Sequence, residues 1–147
     1  MKAAYVNKKI IERIREEQSN AKILIMGDFN DDPIDKSLVH GLGAQSHKFL
    51  DTMGFFSPMI RLFKKGYNTL AYRDQIHLFD QILLSNNFVD SKPQGGFKFC
   101  KAGIYNPLKL YVREGKYKGY PNRSFQNGKY SGGYSDHFPV YVELSKK

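Results

Sequence analysis

Tryptophan is absent and cysteine occurs once, at Cys100, so no internal disulfide and no thiolate metal cluster can form within the chain. A lone thiol in this setting reads as an ordinary buried or half-buried strand residue. No apolar run approaches the roughly 18 residues of a membrane span. The opening Lys2-Ala3-Ala4-Tyr5-Val6-Asn7-Lys8-Lys9 also lacks the apolar core of a secretory signal. Repeats and low-complexity segments are missing. Acidic residues thin out late in the chain: from Lys92 to Lys129 the only one is Glu114, among Lys92, Lys98, Lys101, Lys109, Arg113, Lys116, Lys118, Arg123 and Lys129. Such a stretch can hold phosphate or a nucleic-acid backbone, or it can be a solvated surface that serves solubility. Tyr105, Tyr111, Tyr117, Tyr120 and Phe125, interleaved with these cations, offer rings for stacking on bases or sugars.

What is present suits one domain over residues 1–147, with 41% hydrophobic residues, 11 Phe and 10 Tyr to build a core and a net charge of +9. The stretch Lys22 to Pro33 (K-I-L-I-M-G-D-F-N-D-D-P) stands out. Ile23 to Met26 read as a strand covered on both faces, and Gly27 is followed at once by Asp28, Asn30, Asp31 and Asp32. Carboxylates just beyond the carboxyl end of a buried strand occupy the usual place of an α/β active site. An acidic turn with Asp32 or Asp35 as a helix N-cap is the plainer reading. A calcium loop is excluded, because Pro33 and Val39 stand where its Gly and Glu are needed.

Ahead of this stretch, Lys2 to Gln18 read as a helix with an apolar stripe of Ala3, Val6, Ile10 and Ile14. After it, Ile34 to Leu42 suggest a short helix, and Phe49 to Met53 a further helical piece. Phe55 to Lys65 are apolar but interrupted by Pro58 and carry no clear period. Asn68 to Arg73, Leu78 to Ser85, Phe97 to Tyr105 and Phe138 to Leu144 read as strands. Asn106 to Gly133 form a long, Gly- and Tyr-rich excursion. Asp80 is an anomaly in an apolar strand, and needs either a partner or a slot facing solvent. Asp28/Asn30, Asp80 and Asp136/His137 all fall at strand ends or edges. Together they offer a base, an orienting carboxylate, an imidazole and a metal ligand, the set that phosphoryl transfer requires.

Gly-Asp-Phe-Asn at 27–30, Phe-Asp-Gln-Ile-Leu-Leu-Ser at 79–85 and Ser-Asp-His-Phe-Pro-Val at 135–140 resemble, in this order, three signature blocks of the endonuclease/exonuclease/phosphatase superfamily, whose fold is that of deoxyribonuclease I. The stretch Lys116 to Asp136 is most similar to bacterial members. The resemblance implies an α/β (α+β) fold: half of a four-layer α/β/β/α sandwich, with a mixed sheet and helices on one face. It covers the C-terminal half of the family's domain and finds no counterpart for an Asn, a metal-binding Glu and a second His that the other half supplies. By resemblance, Asp28 orients and deprotonates an attacking water, and Asn30 holds that water or a phosphoryl oxygen. His137 stabilises the phosphoryl group and Asp80 fixes the His137 ring. Asp136, with Asp28, contributes to a Mg²⁺ or Mn²⁺ site, and Arg123 binds substrate. The expected activity is metal-dependent hydrolysis of a phosphodiester or phosphomonoester, weak in this chain alone. The alternative is a non-catalytic basic module that binds anions or nucleic acid. Burial of the strongly apolar strands is expected to need a second copy, as a homodimer, or a missing N-terminal half.

Overall fold

The computed structural model describes residues 1–47, 53–89 and 96–146. Helix α1 spans Lys2–Glu17 and stops where Gln18 turns extended. It buries Ala4 and Ile11, not the expected stripe: Val6 and Ile10 are 56% and 54% exposed. Close approach decides the face. A Cβ placed on Gly41 would lie only 2.8 Å from the Ala4 Cβ, so the helix is seated through its smallest side chains and a Val there would hold it off. Gly41 ends a single π-helical turn, Ser37–Gly41, which replaces the short helix expected over Ile34 to Leu42. The piece expected at Phe49 to Met53 falls mostly at 48–52, outside the described residues.

The strands are β1 (Leu24–Asp28), β2 (Ala44–Gln45), β3 (Phe55–Phe56), β4 (Leu70–Tyr72), β5 (Gln75–His77), β6 (Asp80–Ser85), β7 (Phe97–Ile104), β8 (Phe125–Gln126), β9 (Lys129–Tyr130) and β10 (Val140–Lys146). Helix α2, Met59–Lys64, follows β3 directly. Pro58 is its N-cap, at the helix start, where a missing N–H costs no intrahelical bond, which accounts for the unclear period of this stretch. A four-stranded sheet has the order β1-β6-β3-β2; β2 and β3 run parallel and the other neighbours antiparallel, so the sheet is mixed. β7 and β10 form a separate antiparallel ribbon.

Period-two alternation sends successive side chains of β1 and β6 to opposite faces. Leu83, with Ile23 and Ile25, packs against Ala4, Ile11, Leu38 and Phe55 on the α1 side. Ile82 and Leu84, with Leu24 and Phe56, pack beneath Phe99, Ala102, Ile104, Val140, Val142 and Leu144 of the ribbon. The order of layers is thus helix, sheet, ribbon, as in a deoxyribonuclease I-like sandwich. Over Ile82 and Leu84 the ribbon-side face of the sheet is covered by β7 and β10 of the same chain; Met26 of β1, expected in a strand covered on both faces, is 71% exposed. Cys100 corrects another expectation: it is exposed, on the outer side of β7.

Between β7 and β10 the long excursion is confirmed as loop. It contains a 3-10 turn at Leu108–Leu110, a bridge between Tyr111 and Pro121, and the β8–β9 hairpin. Gly133 is indispensable to its return, since a Cβ there would meet the carbonyl oxygens of Asn122 and Arg123 at 2.2 Å.

Candidate active site

β1 and β6 are in antiparallel register with Asp28 directly opposite Asp80. Side chains so placed share one face, with Cβ atoms roughly 4.5–5.5 Å apart. That face is the ribbon side, because Leu24↔Leu84 and Met26↔Ile82 precede the pair in the same alternation. The two carboxylates therefore sit at the mouth between the sheet and the ribbon. Like charges directly opposed repel, and each is engaged by a different donor. The Asp80 Oδ2 atom accepts from the Nδ1–H of His137 at 2.7 Å. The Asp28 Oδ1 atom accepts from the backbone N–H of Asn30 at 2.9 Å. Asn30 has φ 51°, a left-handed conformation that Asn tolerates, and it turns the chain back over Asp28.

Gly27 precedes Asp28 at φ 152°, a region open in practice only to glycine, although a Cβ there would meet no atom within 4 Å. Gly27→Ala is therefore expected to cost about 1–3 kcal/mol through backbone strain alone. Chemical denaturation checks this, and a variant as stable as the parent would show that the strain is absent.

His137 is aimed by its neighbour. Phe138 is fully buried, its ring lies 4.8 Å from that of Tyr111, and its N–H donates to Thr69 O at 2.8 Å. Thr69 also accepts, through Oγ1, from the N–H of Asp80 at 3.5 Å. Thr69 thus ties the backbones of Phe138, next to His137, and of Asp80 together. The side chains of His137 and Asp80 are 22% and 20% exposed, so the pair is reachable but partly shielded from water. A carboxylate only accepts, so Nδ1 carries the hydrogen of this bond.

Two supporting contacts escaped the sequence reading. Asp32 caps no helix: its Oδ1 accepts from Leu78 N–H at 2.7 Å and its Oδ2 pairs with His77 Nδ1 at 2.9 Å. Gln81, wholly buried on the α1 side of β6, donates through Nε2 to the carbonyl oxygens of Asp31 and Leu78. Asp32 clasps the acidic loop to the link between β5 and β6, and Gln81 clasps it to β6 itself. The legible signal was a second polar residue, Gln81, beside Asp80 in an otherwise apolar strand. Asp32→Ala leaves the Leu78 N–H and the His77 ring without their acceptor, and is expected to cost about 1–3 kcal/mol. A thermal melt checks it, and Asp32→Asn should recover part of the loss.

Asp136 is exposed and immediately precedes His137. Arg123 lies apart from the dyad, half-buried on the wall of a groove of about 720 Å³ between the β4–β5 hairpin and the excursion. Asp28, Asn30 and Asp136 are hard oxygen donors of the kind Mg²⁺ or Mn²⁺ prefers. Among the described residues, however, no three His, Cys, Asp or Glu side chains come together as a cation site. Neither Asp28 nor Asp136, the expected pair, belongs to such a group.

The profile of the endonuclease/exonuclease/phosphatase family matches residues 1–146. No curated protein and no solved structure matches the chain at a comparable level. Enzymes of this family are generally hydrolases and commonly use divalent metals. With the match running from the first turn of α1 to the end of β10, through the strands that carry Asp28, Asp80 and His137, the chain belongs to the endonuclease/exonuclease/phosphatase family.

Proposed function

We propose that the protein is a phosphoric ester hydrolase in which Asp28, Asn30, Asp80 and His137 act on a phosphodiester or phosphomonoester. The observation that carries this reading is the 2.7 Å His137–Asp80 bond at the mouth where Asp28 faces Asp80. Water attacks phosphorus, negative charge grows on the phosphoryl oxygens, and the P–O ester bond breaks to release the alcohol, whose oxygen takes a proton from solvent. The Asp28 carboxylate is placed to orient that water and take its proton. His137, held by Asp80 and acting as the imidazolium, presents its Nε2–H to the phosphoryl group, where a positioned donor stabilises developing charge. The Asn30 amide adds a neutral contact to the water or to a phosphoryl oxygen. The reading includes dependence on Mg²⁺ or Mn²⁺, with Asp28 and Asp136 as the ligands this chain offers.

Because those ligands are too few for a complete site, turnover by residues 1–147 alone is expected to be slow. Each missing charge-stabilising donor costs about 10²–10³ in rate. The test is hydrolysis of activated nitrophenyl phosphodiesters and phosphomonoesters by the pure protein, with Mg²⁺, Mn²⁺ or a chelator. Slow, chelator-sensitive turnover supports the reading. Absence of turnover with either metal on either class of ester contradicts it.

A further inference from the structure

The groove that holds Arg123 is lined by rings and cations together. Tyr72, Tyr117 and Phe125 line it while remaining 52%, 42% and 62% exposed. Large rings left this far in water at one groove are the usual mark of a binding surface. Arg73, Lys116 and Arg123 supply positive charge beside them. The Arg73 guanidinium lies 5.2 Å from the Tyr72 ring centre and the Lys116 ammonium 5.6 Å from that of Tyr117. The one carboxylate on the wall, Asp74, is engaged: it accepts from the Tyr120 hydroxyl at 3.0 Å, which raises the Tyr120 pKa above the ordinary phenol value.

This clasp also fixes the tip of the β4–β5 hairpin. Arg73 and Asp74 occupy its two central positions at φ 49° and 63°, a conformation that glycine or asparagine adopts far more readily. Strain of this kind persists where the surroundings enforce it, and here it points the Arg73–Asp74 tip along the groove. The base of the same hairpin is Thr69, which bonds the backbones of Phe138 and Asp80. Three steps along the strand lead from Thr69 to Tyr72, so the Cα atom of the first groove ring lies about 10 Å from that of Thr69.

We propose that this groove binds a single-stranded polynucleotide and leads it to the Asp80–His137 site, an inference that rests on the phosphoester reading. Alternating rings and cations match a ligand that alternates bases with phosphates. Unpaired bases can lie on Tyr72, Tyr117 and Phe125, whereas the bases of a duplex are stacked inside it and would offer the groove only phosphates. The ester at the dyad is then an internucleotide phosphodiester.

Fluorescence anisotropy of a labelled oligothymidylate of about 12 nucleotides, measured with chelator so that no hydrolysis intervenes, tests this. Tyr72→Ala and Phe125→Ala, both at exposed positions, are each expected to weaken binding by about 5- to 100-fold. Circular dichroism checks that each variant is folded, and either one suffices if the other is not. Arg73→Ala is expected to weaken binding and to flatten its salt dependence. The proposal is overturned if inorganic polyphosphate of equal charge competes as well as the oligonucleotide, if a duplex of equal length binds as tightly, or if neither ring substitution matters. Nitrophenyl phosphodiester turnover without oligonucleotide binding would remove the groove and leave the hydrolase reading standing. Binding without turnover would do the reverse.

Discussion

His137→Ala is expected to lower phosphodiester turnover by about a hundredfold to a thousandfold, the loss typical of one preorganised donor to a developing oxyanion. The side chain contributes little to the core, so the fold should survive. The substitution does leave Asp80, 20% exposed, without its 2.7 Å partner. That unpaired carboxylate is expected to cost about 1–2 kcal/mol in a denaturant titration. Asp80→Asn should give much of the same kinetic loss, since the amide no longer fixes the ring through a charged acceptor. The double variant should be little worse than either alone, because groups that act as one unit lose their effect together. Additive losses would mean that the two side chains work separately.

The largest expected loss of stability is at Phe138. Its ring is 2% exposed and packs against Tyr111, and its N–H ties the entry of β10 to Thr69. Phe138→Ala opens a cavity and is expected to cost about 3–5 kcal/mol, a large part of the roughly 5–15 kcal/mol that holds a domain folded. For a chain of this size the melting temperature should fall by about 10 °C. Turnover should fall as well, measured at a temperature where the variant is still folded, because Phe138 sets the position of His137. A melting temperature within a degree or two of the parent would show that the ring is not the anchor its burial implies.

The helix, the four main strands and the polar residues at their ends could be read from the sequence because each rests on local chemistry. Ile23 to Met26 and Ile82 to Leu84 are apolar runs bounded by Gly27, Asp28 and Asp80, and such runs announce their own ends. The face of α1 was not legible. Hydrophobic spacing marked Val6 and Ile10, whereas Ala4 was selected by the close approach of Gly41, far along the chain, a fact only packing reveals. The covering of the sheet by the ribbon was missed for a similar reason. Strand count and apolarity do not say which strands leave the sheet to lie across it, and β7 and β10 do. Asp80 could be flagged as a carboxylate in need of a partner, but Asp32 could not be assigned to His77, because an acidic turn satisfies an N-cap pattern equally well. Arg123 could be marked as a cation in a basic stretch; that it shares a groove with Tyr72 and Arg73 depends on the β4–β5 hairpin reaching the excursion.

That Asp28, Asp80 and His137 form one hydrolytic unit is tested most directly by turnover of an activated phosphodiester by the parent, Asp28→Ala and His137→Ala proteins. The three are compared at equal folded concentration, with Mg²⁺ or Mn²⁺ and with chelator. The predicted result is slow, chelator-sensitive turnover in the parent that falls at least a hundredfold in both variants. Turnover that persists unchanged in Asp28→Ala and His137→Ala would contradict it and place the chemistry elsewhere.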